Sequence, residues 1–168
     1  MKLLSLAARK KEKAVREFIV ENRESLYRFA YTYVKNEHDA LDVVHDAICR
    51  ILDNIDSLNN IENIKPWIYK IVSNTAIDNI RKNNKYITAV DDIEESVEYD
   101  KYKDIDLHRA VGALPDKYKI IIILRYFEDM KISEISDILD ENESTIKTRL
   151  YKALSILRNN NYMKIYKE

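Results

Sequence analysis

The stretch LYRFAYTYVKNEHDALDVVHDAICRIL, residues 26–52, decides the fold because it carries two successive helical stripes of apolar side chains. The first stripe consists of Leu26, Phe29, Ala30, Tyr33 and Val34, and the second of Ala40, Val43, Val44, Ala47, Ile48, Ile51, Leu52 and Ile55. Both follow the i, i+3, i+4, i+7 spacing of one buried helix face. The pattern therefore predicts a helix near 23–35 and another near 38–56.

The composition of the whole chain agrees with a helical fold. Of the 168 residues, 46% are apolar and 34% are charged, so the chain can bury cores and keep a polar surface. It contains one glycine and two prolines. Turn-rich β architectures, glycine phosphate loops and Rossmann-type turns need glycine where the backbone turns sharply. The composition argues against those classes and favours an all-α fold.

The residues after this stretch complete a first helical bundle. Ser57–Lys65 is polar and rich in asparagine, and we predict a loop there. Pro66 suits the first turn of the next helix, where its missing N–H costs nothing. The buried stripe of that helix is predicted to consist of Ile68, Ile71, Val72 and Thr75. We expect one compact domain over residues 15–85.

A second helical domain is predicted over residues 105–160. The segment before it, 86–104, loses the apolar rhythm and has an excess of acids, which is typical of a flexible, self-repelling linker. The helices expected in the second domain lie at 105–113, from Pro115 through Phe127, near 131–139 and from Glu143 onward. The predicted architecture is two small helical domains joined by an acidic linker.

Charge alternates along the chain although the net charge is only −1. Residues 36–56 hold six acids against one base, and 86–106 hold eight acids against two bases. Residues 61–85 hold five bases against two acids, and 142–168 hold six bases against two acids. Two basic blocks are consistent with two nucleic-acid contacts on one chain, but solvated helix faces have the same pattern.

Cysteine content and hydropathy limit the classes of protein further. The single cysteine, Cys49, cannot form an internal disulfide or a thiolate metal cluster, which fits a reducing cytoplasm. The longest apolar run, Ile120–Leu124, is too short to span a membrane, and no signal peptide is apparent. We therefore expect a cytoplasmic protein.

Residues 131–157 have the dimensions of a helix-turn-helix. The predicted turn is Asp140-Glu141-Asn142, and Asn142 can cap the second helix by accepting a hydrogen bond from a free N–H. The inward positions of that helix are predicted to be Ile146, Leu150 and Leu154, and the outward ones Ser144, Lys147, Thr148, Tyr151 and Lys152. The outward set lies near the helix half that enters a major groove, although an ordinary helical hairpin would look the same.

The chemistry of the outward positions suits DNA. Lys147, Arg149 and Lys152 can contact phosphates or base edges. Thr148 and Tyr151 can donate hydrogen bonds or touch thymine methyl groups. This helix is therefore a candidate reader of duplex DNA.

The helix after Pro66 presents a second polar face. Lys70, Asn74 and Asp78 follow each other at four-residue spacing, and Arg81 lies on nearly the same side. An asparagine amide both donates and accepts hydrogen bonds, which suits contact with an exposed nucleotide. Trp67 could support an unstacked base, although a tryptophan at a helix start more often belongs to a core.

The helix near 38–56 carries a carboxylate stripe opposite its apolar one. The stripe consists of Asp39, Asp42 and Asp46, with His45 beside it. Carboxylates and histidine can form metal or acid–base sites, but side chains on one exposed stripe diverge outward. A docking face for a basic partner protein is the better interpretation. We expect no catalytic residue, metal or cofactor.

With both halves described, the sequence resembles a bacterial RNA polymerase sigma factor of the extracytoplasmic-function (ECF) type. Residues 26–52, with IKPWIYKIVSNTAIDNIRKNNK at 64–85, are similar to sigma region two. LHRAVGALPDKYKIIIILRYFEDMKISEISDILDENESTIKTRLYKAL, residues 107–154, is similar to sigma region four. Each motif is weak alone, whereas both in this order, with an acidic linker between them, form a specific signal.

The resemblance implies roles for the faces described above. Asp39, Asp42, His45 and Asp46 would dock on core RNA polymerase. Trp67, Lys70, Asn74, Arg81 and Lys82 would contact the melted minus-ten strand, and the Ser57–Lys65 loop would hold a flipped base. Ser144, Lys147, Thr148, Arg149, Tyr151 and Lys152 would read the minus-thirty-five element. One departure is the turn, which usually contains glycine, and Glu141 and Glu143 weaken the positive field there.

The resemblance therefore predicts a non-catalytic specificity subunit that binds core polymerase and double-stranded promoter DNA. An anti-sigma protein is an expected further partner. The alternative is a stand-alone helix-turn-helix regulator, which would use 131–157 and leave the other two faces without a role. A small hydrolase or metal enzyme has little support, because no ligand cluster, glycine loop or nucleophile–base arrangement is identifiable.

Overall fold

The computed structural model of the chain describes residues 5–84 and 105–159. Those residues form eight α-helices and no strand, which confirms the all-α class. The chain divides into two compact units, Met1–Val90 and Asp91–Glu168. The predicted linker, 86–104, lies outside the described residues.

The first unit contains four α-helices. They are α1 (Leu6–Glu21), α2 (Arg23–Val34), α3 (Glu37–Asp53) and α4 (Ile64–Asn84), with short 3-10 turns at Ile55–Ser57 and Ile61–Asn63. Helix α2 ends at Lys35, which adopts a left-handed conformation with φ 59°. Helix α3 begins where the Asn36 side chain accepts a hydrogen bond of 2.8 Å from the Asp39 N–H. Helix α4 begins two residues before Pro66, which lies in its first turn as predicted.

The core of the first unit lies between α2, α3 and α4. The Phe29 ring lies 5.0 Å from the Tyr69 ring and 5.4 Å from the Tyr33 ring, centroid to centroid. The hydroxyls of Tyr33 and Ser73 share a hydrogen bond of 2.7 Å. Burial raises the pKa of Tyr33 to about 12, and the bond to Ser73 lowers it in part. The predicted apolar stripes are thus packed against each other.

Helix α1 extends this unit beyond its expected start at residue 15. Its first turn is capped by Ser5, whose hydroxyl accepts a hydrogen bond of 3.2 Å from the Ala8 N–H. Two of its side chains, Val15 and Ile19, are buried. Because the helix buries so few positions, its apolar periodicity is too weak to be read from the sequence.

The second unit contains the remaining helices. They are α5 (Ile105–Gly112), α6 (Asp116–Ile122), α7 (Ile132–Leu139) and α8 (Glu143–Asn159), with a π-helical turn at Ile123–Phe127. The prediction of one regular helix from Pro115 through Phe127 is therefore wrong at its C-terminal end. There the Glu128 N–H donates to the Ile123 carbonyl at 3.0 Å, which is the wider spacing of a π-helix.

The core of the second unit is formed by α6, α7, α8 and the π-helical turn. The buried side chains of α8 are Ile146, Leu150, Ala153 and Leu157. Leu154, predicted to face inward, is only half-buried, because the small Ala153 takes the core position beside it. One face of α8 is thereby fixed against α6 and α7, and the opposite face is exposed.

Candidate functional site

The turn between α7 and α8 is held by hydrogen bonds that its own residues make. Asp140 ends α7 with φ 54° and ψ 43°, a left-handed conformation that aspartate tolerates. The Asn142 side chain accepts hydrogen bonds of 2.8 Å from the Thr145 N–H and from the Ser144 hydroxyl. The predicted cap is confirmed, and the turn forms without glycine.

Helix α8 displays most of the predicted DNA-contacting residues on one exposed side. The exposed members are Ser144, Lys147, Thr148, Tyr151 and Lys152. Tyr151 is 70% exposed, an unusual value for an aromatic side chain. The Thr148 hydroxyl donates to the Ser144 carbonyl at 2.9 Å, so its oxygen remains able to accept from an external donor.

Acidic neighbours neutralise two of the three cations on this surface. The Arg149 guanidinium is half-buried and lies 3.0 Å from the Glu141 carboxylate. The Lys147 ammonium lies 3.8 Å from the Glu143 carboxylate. In the described part of the chain, Lys152 makes no ion pair. The sequence analysis placed Arg149 with the DNA-contacting residues, whereas the structure turns its guanidinium toward Glu141.

Helix α4 carries the second polar face. Lys70, Asn74, Arg81 and Lys82 are exposed, and Trp67 at the helix start is half-buried. Asp78, which shares the same spacing, instead binds the Arg50 guanidinium of α3 at 2.8 Å. The exposed part of this face is therefore cationic and amide-bearing.

Helix α3 carries the acidic stripe, and its four members differ in environment. Asp42, His45 and Asp46 are exposed. Asp39 is half-buried and accepts a hydrogen bond of 3.3 Å from the Asn83 side chain of α4. Asp39 thus holds the start of α3 to the end of α4, whereas the other three are available to a partner.

Three residues near this stripe were not assigned to it from the sequence. His38 was treated as isolated, but its Nδ1 lies 3.3 Å from the Asp42 carboxylate at the i, i+4 spacing. Leu41 is 60% exposed, and Cys49 is exposed. All three lie off the apolar stripe, a signal that the sequence contained. The outer face of α3 is therefore a mixed apolar and acidic surface.

A cavity lies between α1 and the predicted loop over Ser57–Lys65. Its volume is about 490 Å³. The lining residues are Ala7, Lys10 and Lys11 of α1 and Asn59, Asn60, Ile61 and Glu62 of the loop. The loop is anchored by Leu58, which is 2% exposed, and by the two 3-10 turns. The α1 wall was missed because α1 itself was not predicted.

Hydropathy of the structured part of the chain agrees with the sequence analysis. Over residues 5–84 and 105–159, no helix combines the length and the apolar character that crossing a membrane requires.

Comparison with known proteins gives matches to both units. Residues 18–86 match the family model for Sigma-70 region 2, and residues 104–157 match that for Sigma-70, region 4. The chain is 48% identical over 146 residues to RNA polymerase sigma factor SigV of Bacillus subtilis (strain 168), covering 83% of this chain and 86% of that protein. It is 30% identical over 154 residues to ECF RNA polymerase sigma factor SigW of the same organism, covering 81% and 82%.

Solved structures share the fold. The sigma factor RpoE from Bartonella quintana, crystallised with the anti-sigma factor NepR, superimposes with a TM-score of 0.70 at 20% identity, covering 89% of this chain and 96% of that chain. CnrH, solved with the cytosolic domain of CnrY, superimposes with a TM-score of 0.58 at 16% identity, covering 86% and 85%.

Proposed function

The chain belongs to the ECF family of RNA polymerase sigma factors, and from that premise we propose how its two units divide promoter recognition. A sigma factor is a transcription initiation factor that directs core polymerase to promoters. In this proposal the first unit docks on core polymerase and reads the minus-ten element, and the second unit reads the minus-thirty-five element. The supporting observation is that α3, α4 and α8 each bury one face in a core and expose a face of distinct chemistry.

The exposed face of α3 is the proposed polymerase-docking surface. Asp42 and Asp46 supply negative charge, and Leu41 supplies an apolar contact that is 60% exposed. His45 lies between them and adds an aromatic surface. A face with apolar and charged groups in alternation is typical of a protein interface rather than of a solvated helix. Asp39 contributes mainly by holding α3 against α4.

The exposed face of α4 is the proposed minus-ten surface. Lys70, Arg81 and Lys82 supply positive charge for the phosphate backbone, and the Asn74 amide can pair with a base edge. The half-buried Trp67 keeps part of its ring available for stacking. Extruding a base costs a few kcal/mol, which these contacts would offset.

The exposed face of α8 is the proposed minus-thirty-five surface. Lys147 and Lys152 would contact phosphates, and Ser144, Thr148 and Tyr151 would contact base edges. Because Glu141 holds Arg149, this arginine must exchange its partner before it can reach DNA. We therefore propose weak intrinsic affinity in this unit, with specificity arising from the linkage of the two units.

The remaining partners follow from the same family membership. We propose that the protein has no catalytic activity of its own and works in the cytoplasm beside core polymerase. RpoE and CnrH were solved with an anti-sigma factor and with CnrY, respectively. By analogy, we propose that an anti-sigma protein restrains this chain by covering its docking faces. The stand-alone regulator is not favoured, since the region 2 model covers the first unit.

A reciprocal pair of double variants tests the division of labour. Asp42→Asn with Asp46→Asn is expected to weaken binding of the full chain to cognate core polymerase roughly tenfold. Lys147→Ala with Lys152→Ala is expected to leave core binding unchanged and to lower transcription from promoters that depend on the minus-thirty-five element, also roughly tenfold, because phosphate contacts supply much of the affinity.

Matched controls separate these effects from net charge. Asp53→Asn with Asp56→Asn removes the same charge outside the proposed docking surface, and core binding should not change. Arg149→Ala should lower transcription less than the lysine pair does. Equal loss of core binding in the lysine variant, or full core binding in the Asp42/Asp46 variant, would contradict the assignment of faces.

A further inference from the structure

The cavity between α1 and the asparagine-rich loop has the size of a small-ligand site. Its volume of about 490 Å³ falls within the range of roughly 300–1,000 Å³ that is usual for such sites. One wall is formed by Ala7, Lys10 and Lys11 of α1. The opposite wall is formed by four consecutive loop residues, Asn59–Glu62. The two walls differ in chemistry.

The α1 wall carries positive charge that is not neutralised. On the same helix the Arg16 guanidinium lies 2.9 Å from Glu12, and the Lys13 ammonium lies 3.7 Å from Glu17. Lys10 and Lys11, which line the cavity, make no ion pair within the described residues. Two ammonium groups at one cavity wall form an anion-binding surface, and phosphate is the anion that a lysine pair fits well.

The loop wall carries groups that match a base edge. Asn60 uses its side-chain oxygen to accept from the Glu62 N–H at 3.0 Å, and its amide nitrogen lies 3.4 Å from the Glu62 carboxylate. The Asn59 side chain makes no hydrogen bond in the described part of the chain and can donate and accept. The Glu62 carboxylate would repel a phosphate but can accept from an exocyclic amino group. Ile61 adds an apolar surface for a base face.

We propose that this cavity holds one nucleotide of the unpaired minus-ten strand, with its phosphate on Lys10 and Lys11 and its base against Asn59–Glu62. This inference rests on the minus-ten role proposed for the first unit. It adds α1 to the DNA-contacting elements and assigns to Lys10 and Lys11 a function that the charge pairing of their neighbours excludes for Lys13 and Arg16.

The test compares two double variants of the full chain in holoenzyme with cognate core polymerase. The probe is a promoter that the wild-type holoenzyme transcribes, made as a full duplex and as a fork with its minus-ten strand unpaired. Lys10→Ala with Lys11→Ala should weaken fork binding about tenfold and lower the slope of log K against log salt by roughly 0.7 for each lost phosphate contact. Lys13→Ala with Arg16→Ala, which removes the same charge from the same helix, should change binding less than twofold.

Neutral methylphosphonate linkages then locate the contact. A methylphosphonate at one or two positions of the unpaired strand should weaken wild-type binding as much as the Lys10/Lys11 variant does, with no further loss when the two changes are combined. Additive losses at every linkage would overturn the proposal. Equal loss for both double variants, or equal loss on duplex and fork, would also overturn it, because either result indicates a general charge effect.

A parallel variant keeps this outcome distinct from failure of the minus-ten assignment. Lys70→Ala with Arg81→Ala tests the α4 face by the wild-type preference for fork over duplex. If that preference disappears in the α4 variant while the Lys10/Lys11 variant keeps full fork affinity, only the cavity assignment is wrong. If neither variant affects fork binding, the minus-ten role of the whole unit is wrong.

Discussion

Arg149 illustrates how a single contact changes the role that residue type predicts. Its position on α8 and its fixed charge favour a DNA contact, yet its guanidinium lies 3.0 Å from Glu141. An exposed or half-exposed ion pair of this kind contributes only about 0–1 kcal/mol to stability. Its larger effect is on recognition, since DNA must compete with an internal carboxylate. Residue type alone could not predict this, because the two partners lie on opposite sides of the turn.

Tyr33 leads to a prediction about pH. Burial raises its pKa to about 12, above the usual value of 10.0. The folded state therefore keeps the proton to higher pH than the unfolded chain does. The stabilisation is complete below pH 10 and is lost as the pH rises from about 10 to about 12.

Tyr33→Phe should therefore have a pH-dependent cost. Below pH 10 the variant is expected to be less stable by about 1 kcal/mol, because the Ser73 hydroxyl loses its partner. Between pH 10 and pH 12 the difference should shrink, because phenylalanine has no proton to lose. Urea unfolding of both proteins from pH 8 to pH 11.5 measures this, and the other tyrosines cancel in the comparison. A constant difference would contradict the pKa.

At the scale of elements, the sequence predicts helices well where one face is buried and the other is polar. Helices α2, α3 and α8 satisfy this condition, and so does the turn capped by Asn142. The end of α6 does not, since the run Ile120–Leu124 is apolar at every position and leaves no period to read. The π-helical turn depends on how these side chains pack, which no local pattern specifies.

The candidate site shows the same division. Exposure of Lys70, Asn74, Lys147 and Lys152 follows from their places on helices, and all four lie as predicted. The pairing of Arg50 with Asp78 joins two helices and requires the tertiary structure. The cavity likewise joins α1 to a loop that is distant in sequence.

The turn between α7 and α8 allows a prediction about an element boundary. Asp140 adopts φ 54°, which favours glycine and is strained for most other residues. Asp140→Gly should stabilise the turn by about 0.5 kcal/mol, and Asp140→Ala should destabilise it by about 1 kcal/mol. Asp140→Asn, which tolerates this conformation and removes the charge, should lie close to wild type. Amide hydrogen exchange in α7 and α8 measures the series, and an alanine variant as stable as the glycine variant would show that the conformation carries no cost.

At the scale of the molecule, the two units have separate cores and separate proposed DNA contacts. Each proposed contact surface is small, and several acids lie among the cations of the second. Two weak sites on one chain bind together more strongly than either alone, because the first contact gives the second an effective concentration that can reach the millimolar range. Covalent continuity between the units is then part of the recognition mechanism.

Cleavage between the units tests this mechanism. A protease site inserted between Val90 and Asp91 leaves two fragments that each retain their own buried side chains, so the circular dichroism of the helices should change little on cleavage. Promoter-specific transcription at nanomolar protein should fall by about 100-fold or more, because the second contact becomes bimolecular. Adding the C-terminal fragment at high concentration should restore part of the activity, since mass action then replaces the covalent link. Full activity of the cleaved protein at nanomolar concentration would mean that one unit is sufficient, and the weak affinity proposed for each face would be wrong.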